Sequence, residues 1–161
     1  MLCPPWVSPI GDCDYFHVCA TNPFYGVPEN ITGFQQARTG QAYPGGHFYY
    51  NGNYREYLQA PLLQTLQAGH CYKVGFYLNL ANNSCGMNHA GVLLTPNPVS
   101  NPLGMTPQVD WSGSYFSDTS SWVFVFGYVT AFGNESYITI GNFYTNAQTS
   151  YDPACNNPIL S

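Results

Sequence analysis

The stretch Cys71–Leu80, CYKVGFYLNL, decides the fold class of this chain. Its even-numbered positions, from Tyr72 to Leu80, are all apolar, whereas the odd-numbered positions between them are Lys, Gly, Tyr and Asn. Successive side chains of a β-strand point to opposite faces. The period of two therefore predicts a strand with one core side and one open side.

The regions on either side of this stretch predict more strands. Trp122–Thr130, WVFVFGYVT, is apolar on both faces, which predicts a strand covered on both sides or one with a binding face. Further short runs rich in aromatic and β-branched residues, bounded by turn residues, also predict strands: Asp14–Cys19, Gln41–Tyr50, Tyr54–Gln59, Ala90–Thr95 and Glu135–Phe143.

Helical patterns are interrupted throughout by 13 Pro and 16 Gly residues. Only Leu62–Ala68 is long enough for a short helical turn, which Gly69 would end. Seven or more strands at this spacing predict one all-β domain over residues 1–161, built as a β-sandwich or jelly roll of two antiparallel sheets. The long Pro- and Ser-rich connection between residues 96 and 121 contains aromatic residues, which is typical of a functional loop.

The composition excludes two classes of partner. Charged residues make up 7% of the chain, there are only 3 Lys and Arg, and the net charge is -5. A nucleic-acid binder needs clustered cations to neutralise phosphates, so nucleic acid is excluded. No run of about 20 apolar residues is present, so we expect no membrane insertion. The 17% aromatic content argues against disorder.

The six cysteines predict disulfides and an extracellular location, because an even count in such a chain is typical of secreted proteins. They are Cys3, Cys13, Cys19, Cys71, Cys85 and Cys155. The sequence leaves fifteen pairings open. A Cys71–Cys85 bond is disfavoured, since about ten extended residues at about 3.3 Å each separate the two. No CxxC pair is present, so a zinc ribbon is not expected.

Several stretches together form a recognisable ordered series: Gly33–Tyr43 (GFQQARTGQAY), Tyr54–Gln59 (YREYLQ), Leu80–Ser84 (LANNS), Thr106–Val109 (TPQV) and Tyr137–Phe143 (YITIGNF). The series resembles an N-terminal module of surface proteins that gliding bacteria export by type IX secretion. In such proteins it precedes gliding-motility-associated or outer-membrane-protein-A-like domains. The resemblance implies a galactose-binding-like jelly roll and a non-catalytic module at the cell surface.

The chain departs from that family at both ends. The family's first strand motif and its terminal paired aspartates, which often help to hold a structural calcium, are missing here. We therefore expect a sandwich without its first and last strands, and no cofactor; a structural calcium is left open but is disfavoured. Exposed sheet edges would favour pairing with another chain.

The sequence provides no catalytic motif. GxSxG, HExxH and a Gly-rich phosphate loop are absent, and the four histidines are isolated from one another. Asp12 and Asp14 are the one close pair of acids, beside Cys13, where capping or ion binding is the simpler role. We predict no catalytic residue and no metal site.

A candidate sugar-binding surface combines aromatic rings, which stack on the apolar faces of pyranoses, with neighbouring polar groups for the hydroxyls. Its members are Tyr49, Tyr50, Asn51, Tyr54, Asp110, Trp111, Tyr115 and Phe116. The alternative is that individual rings fill the core. Arg38 and Arg55 either clamp a ligand or form internal salt bridges with Glu56 or Asp14, and we favour the structural role.

Four loop positions match glycosylation motifs. Asn30, Asn82 and Asn134 begin N-x-S/T sequons, and Thr119 lies in an Asp-Thr-Ser motif for O-glycosylation.

These observations lead to three hypotheses about the function. The first is a secreted, non-catalytic cell-surface module that binds carbohydrate. The second is a structural subunit of an extracellular filament, sheath or adhesin, in which copies of the chain assemble into a homopolymer by strand pairing. The third is an enzyme acting on glycans, which the absence of a catalytic motif disfavours. The expected partners are therefore glycans or copies of the chain itself.

Overall fold

The computed structural model describes residues 3–155, which form an all-β structure of ten strands. The strands are β1 Asp14–His17, β2 Glu29–Asn30, β3 Gly33–Phe34, β4 Ala42–Gly45, β5 Leu58–Pro61, β6 Cys71–Leu78, β7 Ala90–Thr95, β8 Val109–Trp111, β9 Val123–Thr130 and β10 Tyr137–Gly141. Helical structure in this range is limited to two three-residue 3₁₀ turns, Pro23–Tyr25 and Asn51–Asn53.

The central layer is an antiparallel sheet with the strand order β5-β10-β7-β8. In its middle, Ile140 of β10 lies opposite Val92 of β7. At the β5 edge, Val7 and Gln59 exchange backbone hydrogen bonds of 2.8 Å in both directions. The N-terminal segment thus covers the edge of this sheet at one point.

A two-stranded antiparallel ribbon, β6–β9, forms the layer above this sheet. Its register runs from Cys71 opposite Thr130 to Leu78 opposite Val123. The inner side chains of the ribbon share one hydrophobic cluster with the central sheet; they are Val74, Phe76, Leu78, Val125 and Val129, packed around Val92, Leu94, Val109 and Ile140. This cluster joins the two layers, because it removes the apolar side of each from water.

The opposite face of the central sheet is also covered. Leu93 points away from the first cluster and packs with Tyr57 and Phe143, which are 0% and 1% exposed. The Tyr57 hydroxyl donates to the Asn142 carbonyl at 2.8 Å. Gly141 makes room for the ring, since a Cβ there would lie 2.4 Å from Cδ1 of Tyr57. All six residues of β7 are therefore buried.

Two small antiparallel sheets, β1–β4 and β2–β3, complete the described structure. They lie beside the ribbon and are not hydrogen-bonded to it through strand pairing. The sequence predicted two sheets, and the structure divides its strands among four. All pairs are antiparallel, as expected.

Most predicted strands are confirmed, with changed bounds. The predicted strand over residues 41–50 is paired only at Ala42–Gly45, and that over residues 54–59 begins at Leu58. Before Leu58 the chain binds other groups, since the Glu56 N–H donates to the His47 carbonyl at 2.8 Å. The helical turn predicted at residues 62–68 is wrong. The N–H groups of Leu62 and Leu66 donate instead to the backbone carbonyls of Ser136 and Glu135.

The cysteine prediction needs correction. One disulfide is present, Cys85–Cys155, with the Cα atoms 5.6 Å apart. The other four cysteines are free thiols, of which Cys3, Cys19 and Cys71 are exposed. Cys13 is buried, where its thiol lies 3.4 Å from the Tyr57 carbonyl, and burial raises its pKa to about 11. The disulfide joins loops 70 residues apart in sequence and fastens the end of the described chain to the loop before β7.

In residues 3–155 the structure contains no helix that could cross a membrane.

Replacing Leu94 with Ala tests the shared core. Leu94 is 4% exposed and belongs to the cluster between the layers. We expect L94A to lower the free energy of unfolding by about 2–5 kcal/mol, because it leaves a cavity. Leu63 is 102% exposed, so L63A should change stability by less than about 0.5 kcal/mol. Equal effects of the two variants in urea unfolding would contradict this packing.

The turn before β10 provides a pH test. Glu135 is 3% exposed and accepts hydrogen bonds from the N–H groups of Phe132, Gly133 and Asn134. Burial acts to raise the pKa of Glu135, but these N–H groups outweigh it and the pKa is lowered. A lowered carboxyl pKa stabilises the fold above the unfolded value, about 4.3, and that effect is lost as the pH falls through the folded value.

We expect E135Q to lose about 1–3 kcal/mol of stability near pH 7. The gap between wild type and variant should shrink as the pH is lowered to about 3, where the carboxylate is being protonated. Urea unfolding at both pH values measures the gap. A gap of the same size at both would show that the Glu135 charge does not hold this turn.

Candidate functional site

The outer face of the ribbon carries a row of aromatic rings, here called the aromatic strip. It consists of Tyr77 on β6 and Phe124, Phe126 and Tyr128 on β9. The strip arises from the alternation in β9, where Val123, Val125 and Val129 face the other layer. Tyr77, Phe126 and Tyr128 are 42%, 46% and 70% exposed. Of the two predictions for this strand, the structure agrees with an open face.

Each ring of the strip contacts the next ring along it. The centroids of Tyr77 and Phe124, which are cross-strand partners, are 4.8 Å apart. Phe124 and Phe126 stack at 5.1 Å with nearly parallel planes, and Phe126 meets Tyr128 edge-on at 6.1 Å. Such pairs stabilise neighbouring strands and hold each other's rotamers. The strip is therefore a continuous, pre-arranged apolar surface.

A glycine opposite the middle of the strip leaves room for the Phe126 ring. Gly75 is the cross-strand partner of Phe126. A Cβ at Gly75 would lie 2.3 Å from the Val125 carbonyl oxygen and 2.7 Å from the Cβ of Phe126. A side chain at this position would displace the ring or the strand.

Two of the three basic residues lie on the strip. The Nζ of Lys73 is 4.2 Å from the Phe126 centroid and 4.9 Å from that of Phe124. The guanidinium carbon of Arg38 is 4.2 Å from the Tyr77 centroid, and Nη2 donates to the Tyr77 hydroxyl at 3.2 Å. These are cation–π contacts. Within residues 3–155 neither cation forms an ion pair.

Arg55 has the structural role that the sequence favoured, with different partners. It is 2% exposed, and its guanidinium donates to the carbonyls of Tyr54 and Tyr144 at 2.9 and 3.0 Å. It also lies over the Tyr49 ring at 5.0 Å. The expected salt bridges of Arg38 and Arg55 with Glu56 or Asp14 are absent from the described residues.

A cleft of about 480 Å³ opens beside the strip, bordered by β4 and by the end of β6. Its lining includes Phe16, Phe48, Leu58, Phe76 and Ile140, so it reaches into the apolar interior. Tyr77 and Arg38 line the cleft as well as the strip. The two features form one continuous surface.

The loop after β3 lies against the ribbon at this cleft. Trp122 donates its indole N–H to the Gln36 carbonyl at 2.8 Å, and the Asn82 side chain accepts from the Phe34 N–H at 2.7 Å. The Nε2 of Gln35, which lines the cleft, is buried and has no hydrogen-bond partner.

The structure does not gather the predicted sugar-binding residues into one surface. Phe116 is 4% exposed and meets Trp111 edge-on at 5.5 Å, and both Trp111 and Tyr49 pack against the core. Phe116 thus takes the alternative role of a core residue, whereas Trp111 and Tyr49 are half-buried at the margin of the core. Tyr115 is 38% exposed and stays available to solvent.

Tyr50, Asn51 and Tyr54 lie together in and around the second 3₁₀ turn. The rings of Tyr50 and Tyr54 meet edge-on at 6.1 Å. The Tyr54 hydroxyl donates to Glu56 at 2.8 Å, and its burial raises its pKa to about 12. The Tyr50 carbonyl accepts from the Asn146 side chain at 2.9 Å. Most of the polar groups here are bound to the protein itself.

Asp110 belongs to a separate, half-buried network. Its Oδ2 lies 2.9 Å from Nδ1 of His89, whose ring stacks on Tyr144 at 4.0 Å. Burial raises the pKa of Asp110, and the neighbouring His89 opposes this. The Oδ1 of Asp110 is buried without a partner. Residues 3–155 contain no cluster of three His, Cys, Asp or Glu side chains that could hold a metal ion.

The glycosylation motifs differ in accessibility. Asn134 and Asn82 are exposed, whereas Asn30 is half-buried in β2. The Nδ2 of Asn30, the atom that would carry a glycan, donates to the Tyr43 hydroxyl at 2.8 Å and to the Gly26 carbonyl at 3.3 Å. Thr119 is half-buried. Attachment at Asn30 would therefore remove at least one of these two hydrogen bonds, because a glycosylated Nδ2 keeps a single N–H.

The sequence predicted a binding face on this strand as one of two alternatives, but none of the rings of the aromatic strip was among the predicted site residues. In WVFVFGYVT, valines alternate with Phe124, Phe126 and Tyr128, which assigns aliphatic and aromatic side chains to different faces. No protein-family model, curated protein or solved structure matches this chain. Function must therefore be argued from the site.

Proposed function

We propose that this chain is a non-catalytic carbohydrate-binding module and that the aromatic strip is its binding surface. The observation that carries the proposal is an uninterrupted row of four rings on an open sheet face, with two cations over it. An exposed apolar patch with a few fixed polar groups is typical of binding surfaces.

The chemistry of the strip suits a sugar chain. The rings offer apolar surface to the C–H groups of pyranoses, while Tyr77, Tyr128, Lys73 and Arg38 provide polar groups for hydroxyls. From Phe124 to Tyr128 the strand advances by four residues, which at about 3.3 Å each is roughly 13 Å. A single sugar ring does not cover that length, so an extended glycan chain fits the strip better than a single sugar.

The residues of the strip support binding without catalysis. Hydrolysis of a glycosidic bond generally needs two carboxyl groups on either side of it. The outer face of the ribbon, from Cys71 to Tyr77 and from Phe124 to Thr130, carries none.

We further propose a jelly-roll-type, galactose-binding-like sandwich and an extracellular, cell-surface location. The four-stranded antiparallel sheet facing a ribbon across one core supports the fold. The Cys85–Cys155 disulfide supports the location, because such bonds persist in oxidising compartments. We also propose that the chain is related to the surface modules that are exported by type IX secretion.

Truncation of the exposed rings tests the proposal. We expect F126A and Y128A each to weaken polysaccharide binding about tenfold. Each variant removes a ring whose stacking contributes roughly 0.5–1.5 kcal/mol of binding free energy, in addition to the contribution of the apolar area that it buries. Affinity electrophoresis and pull-down with insoluble polysaccharides measure the change.

The matched control is F24A, which removes an aromatic ring that is 58% exposed in the first 3₁₀ turn. It should leave binding unchanged. If the wild-type chain retains no glycan from a broad panel, or if F126A binds as tightly as F24A, the strip is not a sugar-binding surface.

The strand edges at the cleft favour a second candidate, a subunit of a filament, sheath or adhesin built from copies of this chain. Among the described residues, β4 pairs only with β1, and β6 only with β9. Their other edges border the cleft and leave backbone groups for an added strand. A strand from a second copy would complete the layer.

The filament candidate makes a prediction about the size of the particles that the protein forms in solution. If copies assemble by strand pairing, light scattering should show polymers that persist in moderate denaturant, since their backbone hydrogen bonds are added to those of each subunit. A monodisperse species of 17.8 kDa at high protein concentration would exclude the filament candidate and leave the carbohydrate-binding proposal intact.

A further inference from the structure

We infer that the aromatic strip binds anionic polysaccharides, whose sugar units carry carboxylate or sulfate groups, in preference to neutral ones. The inference rests on the proposed function and specifies its ligand class. It follows from the placement of the few cations in this chain.

The distribution of charge is the first step. The chain has 3 basic residues and a net charge of -5. Arg55 is 2% exposed and donates to two carbonyls inside the protein, so a ligand on the surface does not reach it. The other two, Lys73 and Arg38, both lie on the strip. An acidic chain thus presents its accessible cations at one place.

The second step is that these cations have unused binding capacity. Neither forms an ion pair among residues 3–155. Of the five N–H donors of a guanidinium, Arg38 uses one, toward the Tyr77 hydroxyl. Lys73 makes only ring contacts in this range. Both cations are held in place by rings while keeping donors for an anion.

The acids near the strip are the third step. Asp14 and Glu56 line the cleft together with Arg38, but among residues 3–155 neither pairs with Arg38 or Lys73. Asp118 and Glu135 flank β9 in the sequence, and both carboxylates are bound by their own loops. Oδ1 of Asp118 accepts from the N–H groups of Ser120 and Ser121 at 2.9 and 2.7 Å. Glu135 accepts from three N–H groups of its turn. Neither carboxylate neutralises the cations of the strip.

A carboxylate or sulfate of the ligand would accept hydrogen bonds from the planar guanidinium of Arg38. It would also pair with the compact positive charge of the Lys73 ammonium group. The sugar rings between anionic groups would lie on Tyr128, which is 70% exposed, and on the parts of Phe124 and Phe126 that Lys73 leaves uncovered. A neutral glycan gains the ring contacts and hydrogen bonds from the cations to its hydroxyls, but no pairing of opposite charges. The charge pairing therefore provides the selectivity, and the other contacts provide affinity common to both ligand types.

The experiment compares three soluble probes by affinity electrophoresis: polygalacturonate, dextran sulfate and unmodified dextran. The wild-type chain should bind one or both anionic probes at least about tenfold more tightly than dextran. The preference should fall between about 50 mM and 300 mM NaCl, because salt screens exposed charges. K73Q and R38Q should each weaken binding of the anionic probes severalfold more than they weaken binding of dextran, because dextran loses only a hydrogen-bond donor whereas an anionic probe also loses a charge partner.

Q148E is the matched control. It produces the same net charge as K73Q, keeps the Oε1 that accepts from Thr145, and lies in the segment after Phe143. Its binding should match wild type. Unfolding midpoints of all variants establish that each one is folded.

The outcomes separate the two proposals. Equal affinity for anionic and neutral probes, or loss of preference in Q148E as large as in K73Q, overturns the anionic preference and leaves carbohydrate binding standing. Absence of binding to any glycan overturns both. Retention of anionic probes by the K73Q/R38Q double variant with unchanged affinity assigns that binding to another surface and also overturns the inference.

Discussion

The packing of one side of β9 against the central sheet is the constraint on which the rest depends. Val125 and Val129 enter the same apolar cluster as Val92 and Leu94. Because the side chains of a strand alternate, burying the valines places Phe124, Phe126 and Tyr128 on the opposite face. Burial of one face thus forces exposure of the other, and the core and the candidate site are two consequences of a single pattern.

The scarcity of charge determines where the two exposed cations lie. Because few acidic groups are available for ion pairs, Lys73 and Arg38 lie over aromatic rings instead. The buried carboxylates are satisfied by backbone donors, as Glu135 is in its turn and Glu56 is by the N–H groups of Asp12 and His47. Backbone groups thus take the place that Lys and Arg hold in most proteins.

The sequence predicted the strands that strong alternation or an apolar run defines. β6, β7 and β9 lie close to where the pattern places them, because burial of an apolar face dominates their formation. The sequence did not predict which strands pair or that β4 and β6 border a cleft, since pairing depends on contacts far apart along the chain. It also placed the site at Tyr49, Trp111 and Phe116, since composition alone does not show whether a loop aromatic points into the core or outward. The alternation in β9 contained that information.

Aromatic side-chain NMR during a titration with a short oligogalacturonate tests the central claim most directly, because it locates the ligand. The account predicts that the ring resonances of Tyr77, Phe124, Phe126 and Tyr128 shift together with one saturating dissociation constant, while those of Tyr49, Phe116 and Tyr57 stay in place. Shifts confined to Tyr50, Tyr54 and Tyr115, with the strip unchanged, would contradict it.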